Sequence, residues 1–123
     1  MQKVILIVED DPMSLELFRD LLEVSGYTTL EATDGRQGVE LAKEKKPDLI
    51  LMDIQLPAMD GLEATKILKV DPVTKNIPII ALTAYAMEDD EERVIQAGAD
   101  GYLTKPIRIQ GFLEEVAKHL GNE

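Results

Sequence analysis

The sequence predicts an α/β fold: a doubly wound, five-stranded parallel sheet built from five βα units in a single domain. Three observations carry this reading. Short unbroken apolar runs recur at residues 4–8, 49–52 and 79–82, and each leads to a polar residue, Glu9, Asp53 or Thr83. Runs of this length suit strands buried on both faces. Stretches of helical periodicity separate them, and alternating strands and helices imply parallel pairing with right-handed crossovers. A length of 123 residues suits one domain with a core able to fold alone. The domain is expected to fill residues 1–123, with its core at about 3–120, and no repeat, low-complexity tract or interdomain linker interrupts it.

The elements follow in order. Val4-Ile5-Leu6-Ile7-Val8 is the first strand. Asp11-Pro12 supplies an N-cap and a first-turn proline, and residues 12–25 form a helix with Leu17, Phe18, Leu21, Leu22 and Val24 on one broad face. Gly26 stands where a C′ glycine belongs. Residues 28–32 are a weaker strand, and residues 35–45 a helix with a thin apolar stripe. Leu49-Ile50-Leu51-Met52 is the third strand; Asp60 can cap the helix that carries Ala64, Ile67 and Leu68. Ile79-Ile80-Ala81-Leu82 is the fourth strand, followed by a thin-striped helix at 87–97 closed by Gly98. Residues 100–104 are the second weak strand. The clearest helix is the last, where Ile109, Phe112, Leu113, Val116, Ala117 and Leu120 keep helical spacing before Gly121.

Composition narrows the function. The chain carries 24 Asp and Glu against 13 Lys and Arg, a formal charge of −11. Nucleic acid requires a basic face, so direct nucleic-acid binding is not expected, nor is an anionic membrane surface. The absence of cysteine removes disulfides, thiolate metal sites and thiol nucleophiles, and fits a cytoplasmic location. The longest apolar run, five residues, is too short to span a bilayer or to form a signal-peptide core.

In doubly wound folds ligands bind at the carboxyl ends of the strands. Those ends carry Glu9-Asp10, Asp53, Thr83 and Lys105. Each has an ordinary explanation alone: acids before Pro12 suit a helix N-terminus, an Asp ends many strands, and a lysine before proline is common on surfaces. Together, three carboxylates at one edge repel one another unless neutralised. Lys105 supplies one positive charge and a hard, oxygen-liganded divalent cation supplies two, so the cluster makes sense as a Mg²⁺ site beside a lysine.

With these residues in place the chain resembles the receiver domain of bacterial response regulators, in particular stand-alone receivers of the DivK type. The matching segments are Val8-Glu9-Asp10-Asp11, Met52-Asp53-Ile54-Gln55-Leu56-Pro57 with Met59-Asp60-Gly61, Leu82-Thr83-Ala84, and Gly101-Tyr102-Leu103-Thr104-Lys105-Pro106. Leu56 departs from the Met of many members, apolar for apolar. The resemblance implies a flavodoxin-like sheet of order 2-1-3-4-5. It implies phosphorelay signal transduction in a two-component system: Asp53 accepts a phosphoryl group from a phosphohistidine on a histidine kinase or histidine phosphotransfer protein. Asp10, Asp53 and the backbone carbonyl of Gln55 would hold Mg²⁺, with Glu9 helping through a water, and Lys105 would pair with Asp53 and then with the phosphoryl oxygens. Thr83 and Tyr102 would form the switch. Gln55, Ala84 and Tyr85 would tune the site, and Lys105-Pro106 would be a cis peptide.

On this reading the protein is not an enzyme but a phosphoacceptor switch, with self-phosphorylation and slow self-dephosphorylation only. No output domain is expected, so a downstream protein would be met through the face made by the fourth helix, fifth strand and fifth helix. The single histidine, His119, is expected to be exposed, and the acid run at 88–92 to be a solvated helix start. Alternatives are a receiver cut from a hybrid histidine kinase and a Mg²⁺-dependent phosphatase passing through an aspartyl phosphate. Such phosphatases usually carry the nucleophilic Asp after strand one, whereas here it follows strand three. A flavodoxin-like cofactor binder needs a Ser/Thr-rich phosphate loop after the first strand, where Glu9-Asp10-Asp11 would repel the phosphate.

Overall fold

The structure is a computed structural model that describes residues 2–56, 59–83 and 88–121, with 88–91 described by backbone alone. Strands and helices alternate: β1 (Val4–Val8), α1 (Pro12–Val24), β2 (Thr28–Ala32), α2 (Gly35–Lys45), β3 (Leu49–Asp53), α3 (Gly61–Val70), β4 (Ile79–Thr83), α4 (Glu88–Gln96), β5 (Gly101–Thr104) and α5 (Ile109–Leu120). All pairings are parallel, and the sheet order is β2-β1-β3-β4-β5. The order explains why two strands were weak in the sequence. β2 and β5 lie at the sheet edges and are only partly buried, while β3 and β4 are buried throughout and β1 nearly so.

Alternate residues of the central strands feed two cores. Leu6, Val8, Ile50 and Met52 pack with Val39 and Ala42 of α2 and Ala64 and Leu68 of α3. Ile5, Ile7, Leu49, Leu51, Ile80 and Leu82 pack with Phe18 and Leu22 of α1 and Phe112 and Val116 of α5. Phe18 and Phe112 stack at 5.4 Å, joining α1 to α5. The starts of α1, α2 and α3 are fixed by side-chain caps: Asp11, Asp34 and Asp60 accept the N–H groups of Ser14, Gln37 and Glu63 at 3.1, 2.7 and 2.8 Å. Gly26, Gly98 and Gly121 have the positive φ expected of residues that end helices.

Three residues that the sequence places on apolar helix faces do not join the core. Leu17, Val24 and Ile109 are exposed. Leu17 and Val24 are seven residues apart and share one helical stripe, but the stripe α1 turns inward is centred on Phe18 and Leu22. Ile109 opens α5 one turn before its buried stripe begins at Phe112.

Candidate functional site

The sheet gathers residues that are distant in sequence. Glu9 directly follows β1, Asp53 ends β3, Thr83 ends β4, and Lys105 directly follows β5. The ladder continues past the strand ends: the Ile54 N–H donates to the Leu82 carbonyl at 3.1 Å and the Lys105 N–H to the Thr83 carbonyl at 2.7 Å. That continuation fixes the backbone from which the side chains meet. Lys105 Nζ donates to Glu9 Oε1 at 2.5 Å and to Asp53 Oδ2 at 2.9 Å. The remaining oxygens are held by backbone: Asp53 Oδ1 accepts the Gln55 N–H at 2.9 Å, and Glu9 Oε2 accepts the Asp11 N–H at 3.1 Å. Carboxylate oxygens of Glu9, Asp10 and Asp53 lie within 4.8 Å of one another.

Burial sets the electrostatics. Glu9 is fully buried and Asp53 is 5% exposed, while Asp10 stands at the rim. Desolvation, followed by the hydrogen-bonded contact with Asp53, pushes the Glu9 carboxyl up to about 7, against the opposing pull of Lys105. Burial alone would lower the Lys105 ammonium, but its bonds to Glu9 and Asp53 outweigh that and raise it. The lysine is therefore firmly charged, and one of its two buried partners is still short of positive charge. Three carboxylates around one lysine form an all-oxygen donor set, which fits a hard divalent cation such as Mg²⁺.

Of the other residues singled out in the sequence, Thr83 is buried at the end of β4 and Gln55 is exposed. Tyr102 is half-buried and packs against the cluster of Ile54, Ala81 and Val94. The Lys105–Pro106 peptide is cis. Ala84 and Tyr85 lie outside the described residues, as do the side chains of 88–91 in the acid run. His119 is not exposed as expected: its side chain is 14% accessible and its Nε2 pairs with Glu115 Oε2 at 2.9 Å. Gly101 is the reason, since a Cβ there would meet Glu115 Oε2 at 2.6 Å and His119 Nε2 at 2.7 Å. The sequence also did not reveal a cleft of about 340 Å³ beside the cluster, lined by Ser14, Leu17, Phe18, Lys105, Pro106 and Ile107. The signal was available in Leu17, which periodicity alone assigns to the core.

A doubly wound sheet with acids and a lysine at its carboxyl edge defines a flavodoxin-like class of small α/β domains that work from that edge. Within the class, the response regulator receiver domain family matches residues 5–117. The polar-differentiation response regulator DivK of Brucella anthropi is 50% identical over 122 residues, covering 99% of each chain, and DivK of Brucella ovis is equally similar. Among solved structures, the receiver domain of a sensor histidine kinase from Pseudomonas aeruginosa, with a magnesium ion coordinated in its active-site cleft, superposes with a TM-score of 0.92 at 35% identity. It covers 99% of this chain and all of that one. The chemotaxis protein CheY4 of Vibrio cholerae gives a TM-score of 0.90 at 26% identity, with 96% of this chain and 98% of that one covered. The chain belongs to the response regulator receiver family, the phosphoacceptor side of two-component signalling, whose partners are kinases. Among the described residues, no helix is long and apolar enough to cross a membrane.

Proposed function

We propose that Asp53 accepts a phosphoryl group from a phosphohistidine on a kinase or phosphotransfer partner, and that the protein then changes its contacts with a downstream protein. One observation supports this above the others: Asp53 is almost buried, yet its carboxylate touches Lys105 and lies within 4.8 Å of two further carboxylates. A salt bridge built only for stability needs no such excess of negative charge.

In the transfer step an Asp53 oxygen attacks phosphorus. The O–P bond forms, the P–N bond to the donor imidazole breaks, and that nitrogen keeps the electron pair. Glu9, Asp10, Asp53 and the Gln55 carbonyl would hold Mg²⁺, which when bound supplies positive charge against the phosphoryl oxygens. Lys105 moves its ammonium from the carboxylates towards the phosphoryl group as charge builds there. The cleft beside Lys105, lined by exposed Leu17 with Phe18, Pro106 and Ile107, gives the donor protein an apolar shelf. The same groups support self-phosphorylation from a small phosphodonor and slow self-dephosphorylation, without turnover of an outside substrate.

Readout runs through Thr83 and Tyr102. A hydroxyl donated by Thr83 to an anionic phosphoryl oxygen contributes about 1.5–3 kcal/mol. Reversing a 1:99 population needs about 5.5 kcal/mol, so Thr83 does not act alone and Lys105 must share the switch. Tyr102 connects the site to a cleft of about 410 Å³ between α4, β5 and α5, lined in part by Ile95, Ala99, Glu115 and Lys118. We assign the downstream contact to that face, with residues 1–123 acting as one receiver domain in the cytoplasm.

The test is incubation of the purified protein with acetyl phosphate and Mg²⁺ while its mass is followed. One base-labile phosphoryl group is expected, absent without Mg²⁺ and absent in Asp53→Asn. No adduct from acetyl phosphate or any cognate kinase would overturn the proposal, and sustained turnover of an outside phosphomonoester would favour a phosphatase.

A further inference from the structure

We infer that Gly35, the first residue of α2, is a positioning residue that registers the β3–α3 connection against the acids that follow β1. The proposal deepens the Mg²⁺ reading of the cluster and rests on it. Its basis is a close approach. A Cβ at Gly35 would overlap the Met59 carbonyl oxygen and lie 2.9 Å from the carbonyl carbon and 3.0 Å from the Met59 Cβ. The obstacle is backbone and cannot rotate aside.

Ile54 and Met59, at the two ends of the connection, are each held from outside it. Near α3, the Gly61 N–H donates to the Ile54 carbonyl at 3.2 Å, and a Cβ at Gly61 would overlap the Asp53 carbonyl and sit 2.7 Å from the Ile54 Cα. From the other side, α2 abuts Met59 through Gly35. α2 is itself fastened to β1: Gly38 lies against Val8, where a Cβ would come within 2.9 Å of Val8 Cγ2, and Val39 and Ala42 are buried. Val8 is the residue immediately before Glu9 and Asp10. The proposed ligands come from two places, the chain after β1 and the chain after β3. The sheet fixes where these segments start. Contact through α2 fixes where the second one stands at Met59, because α2 rests on β1 and abuts Met59.

Gly35 has an ordinary helical backbone, and helix propensity alone favours alanine there. Any loss in Gly35→Ala therefore reports the contact. α2 is packed through Gly38, Val39 and Ala42, so the added methyl is expected to press on Met59.

The experiment compares Gly35→Ala with Gly26→Ala by calorimetric titration of Mg²⁺ and by thermal melting without metal. Gly26, past the end of α1, has a φ of +96° and open space around it, so Gly26→Ala strains the backbone without touching the connection or the acids after β1. Gly35→Ala is expected to weaken Mg²⁺ binding about tenfold and Gly26→Ala by less than about twofold, in line with the effect of groups that orient metal ligands. Both are expected to melt earlier. Equal Mg²⁺ affinity in Gly35→Ala and wild type, or equal losses in the two variants, would overturn the assignment. If Gly35→Ala does not fold, the wild-type protein carries the test. Coupling is reciprocal, so Mg²⁺ should slow exchange of the Gly38 N–H, which bonds the Asp34 carbonyl in the first turn of α2 at 3.0 Å. Unchanged exchange there overturns the proposal. A wild-type protein that binds no Mg²⁺ removes the metal reading and this proposal together; one that binds it while Gly35→Ala is unaffected removes only this one.

Discussion

The two edges of the sheet both place a lysine against acids, and they use it differently. At the amino edge, Lys69 Nζ donates to Asp100 Oδ2 at 2.6 Å and to the Ile77 carbonyl at 2.8 Å, and the same Asp100 oxygen accepts the Ile79 N–H at 2.9 Å. One lysine meets one acid, and backbone satisfies the rest. At the carboxyl edge one lysine meets two buried carboxylates with a third at the rim. The first arrangement is balanced and ties the α3–β4 connection to the start of β5. The second is unbalanced, and its imbalance is the feature a cation and a phosphoryl group can use.

Removing each lysine should separate the edges most widely. Lys105→Met strands two buried carboxylates and should cost about 3–5 kcal/mol in metal-free denaturant unfolding at neutral pH. Lys69→Met should cost about 1.5–3 kcal/mol, the worth of its charge-assisted hydrogen bonds. Mg²⁺ should restore much of the first loss and none of the second. Equal losses with equal Mg²⁺ responses would erase the distinction.

The pH dependence has a definite sign. Glu9 titrates near 7 in the folded protein and near 4.5 in the unfolded one, so folding takes up a proton between those values. Its contribution is most favourable below the unfolded value and is lost as pH rises through the folded one, on the order of 2 kcal/mol without metal. Measured against Glu9→Gln, wild-type stability should fall across that window and level off above it, and saturating Mg²⁺ should remove the slope. A slope of opposite sign would mean that Glu9 is not short of positive charge.

Neutralising one acid at each edge should give opposite signs. Asp53→Asn relieves repulsion with Glu9 and should stabilise the metal-free protein by about 1 kcal/mol. Asp100→Asn weakens a satisfied pair and should destabilise by about 1 kcal/mol. The smallest effect belongs to neither edge. Gly111 in α5 has open space where a Cβ would go, so Gly111→Ala should stabilise by about 0.5–1 kcal/mol without altering Mg²⁺ binding. A larger change there, or one in metal affinity, would show that α5 is coupled to the site.

The strands and the acid cluster were legible because both follow local rules. Buried strands appear as apolar runs, and the residues that end them must meet at one edge once the sheet is parallel. What escaped the sequence depended on which neighbour lies opposite. Periodicity gave α1 an apolar face but not its centre, which left Leu17 and Val24 in the wrong place. His119 is sheltered because Gly101, on another element, lacks a Cβ. The contacts of Gly35 with Met59 and of Lys69 with Asp100 join segments that local patterns treat as independent.

The unbalanced edge is proposed to hold a phosphoacceptor at one position, Asp53. The direct measurement is to phosphorylate the protein with acetyl phosphate and Mg²⁺, reduce the acyl phosphate with borohydride, and map the product by peptide mass. Reduction turns a phosphorylated aspartate into homoserine and leaves other carboxylates unchanged. Homoserine is expected at residue 53 alone, formed only with Mg²⁺. Homoserine at residue 10, or none in a protein shown to be folded and Mg²⁺-bound, would contradict it.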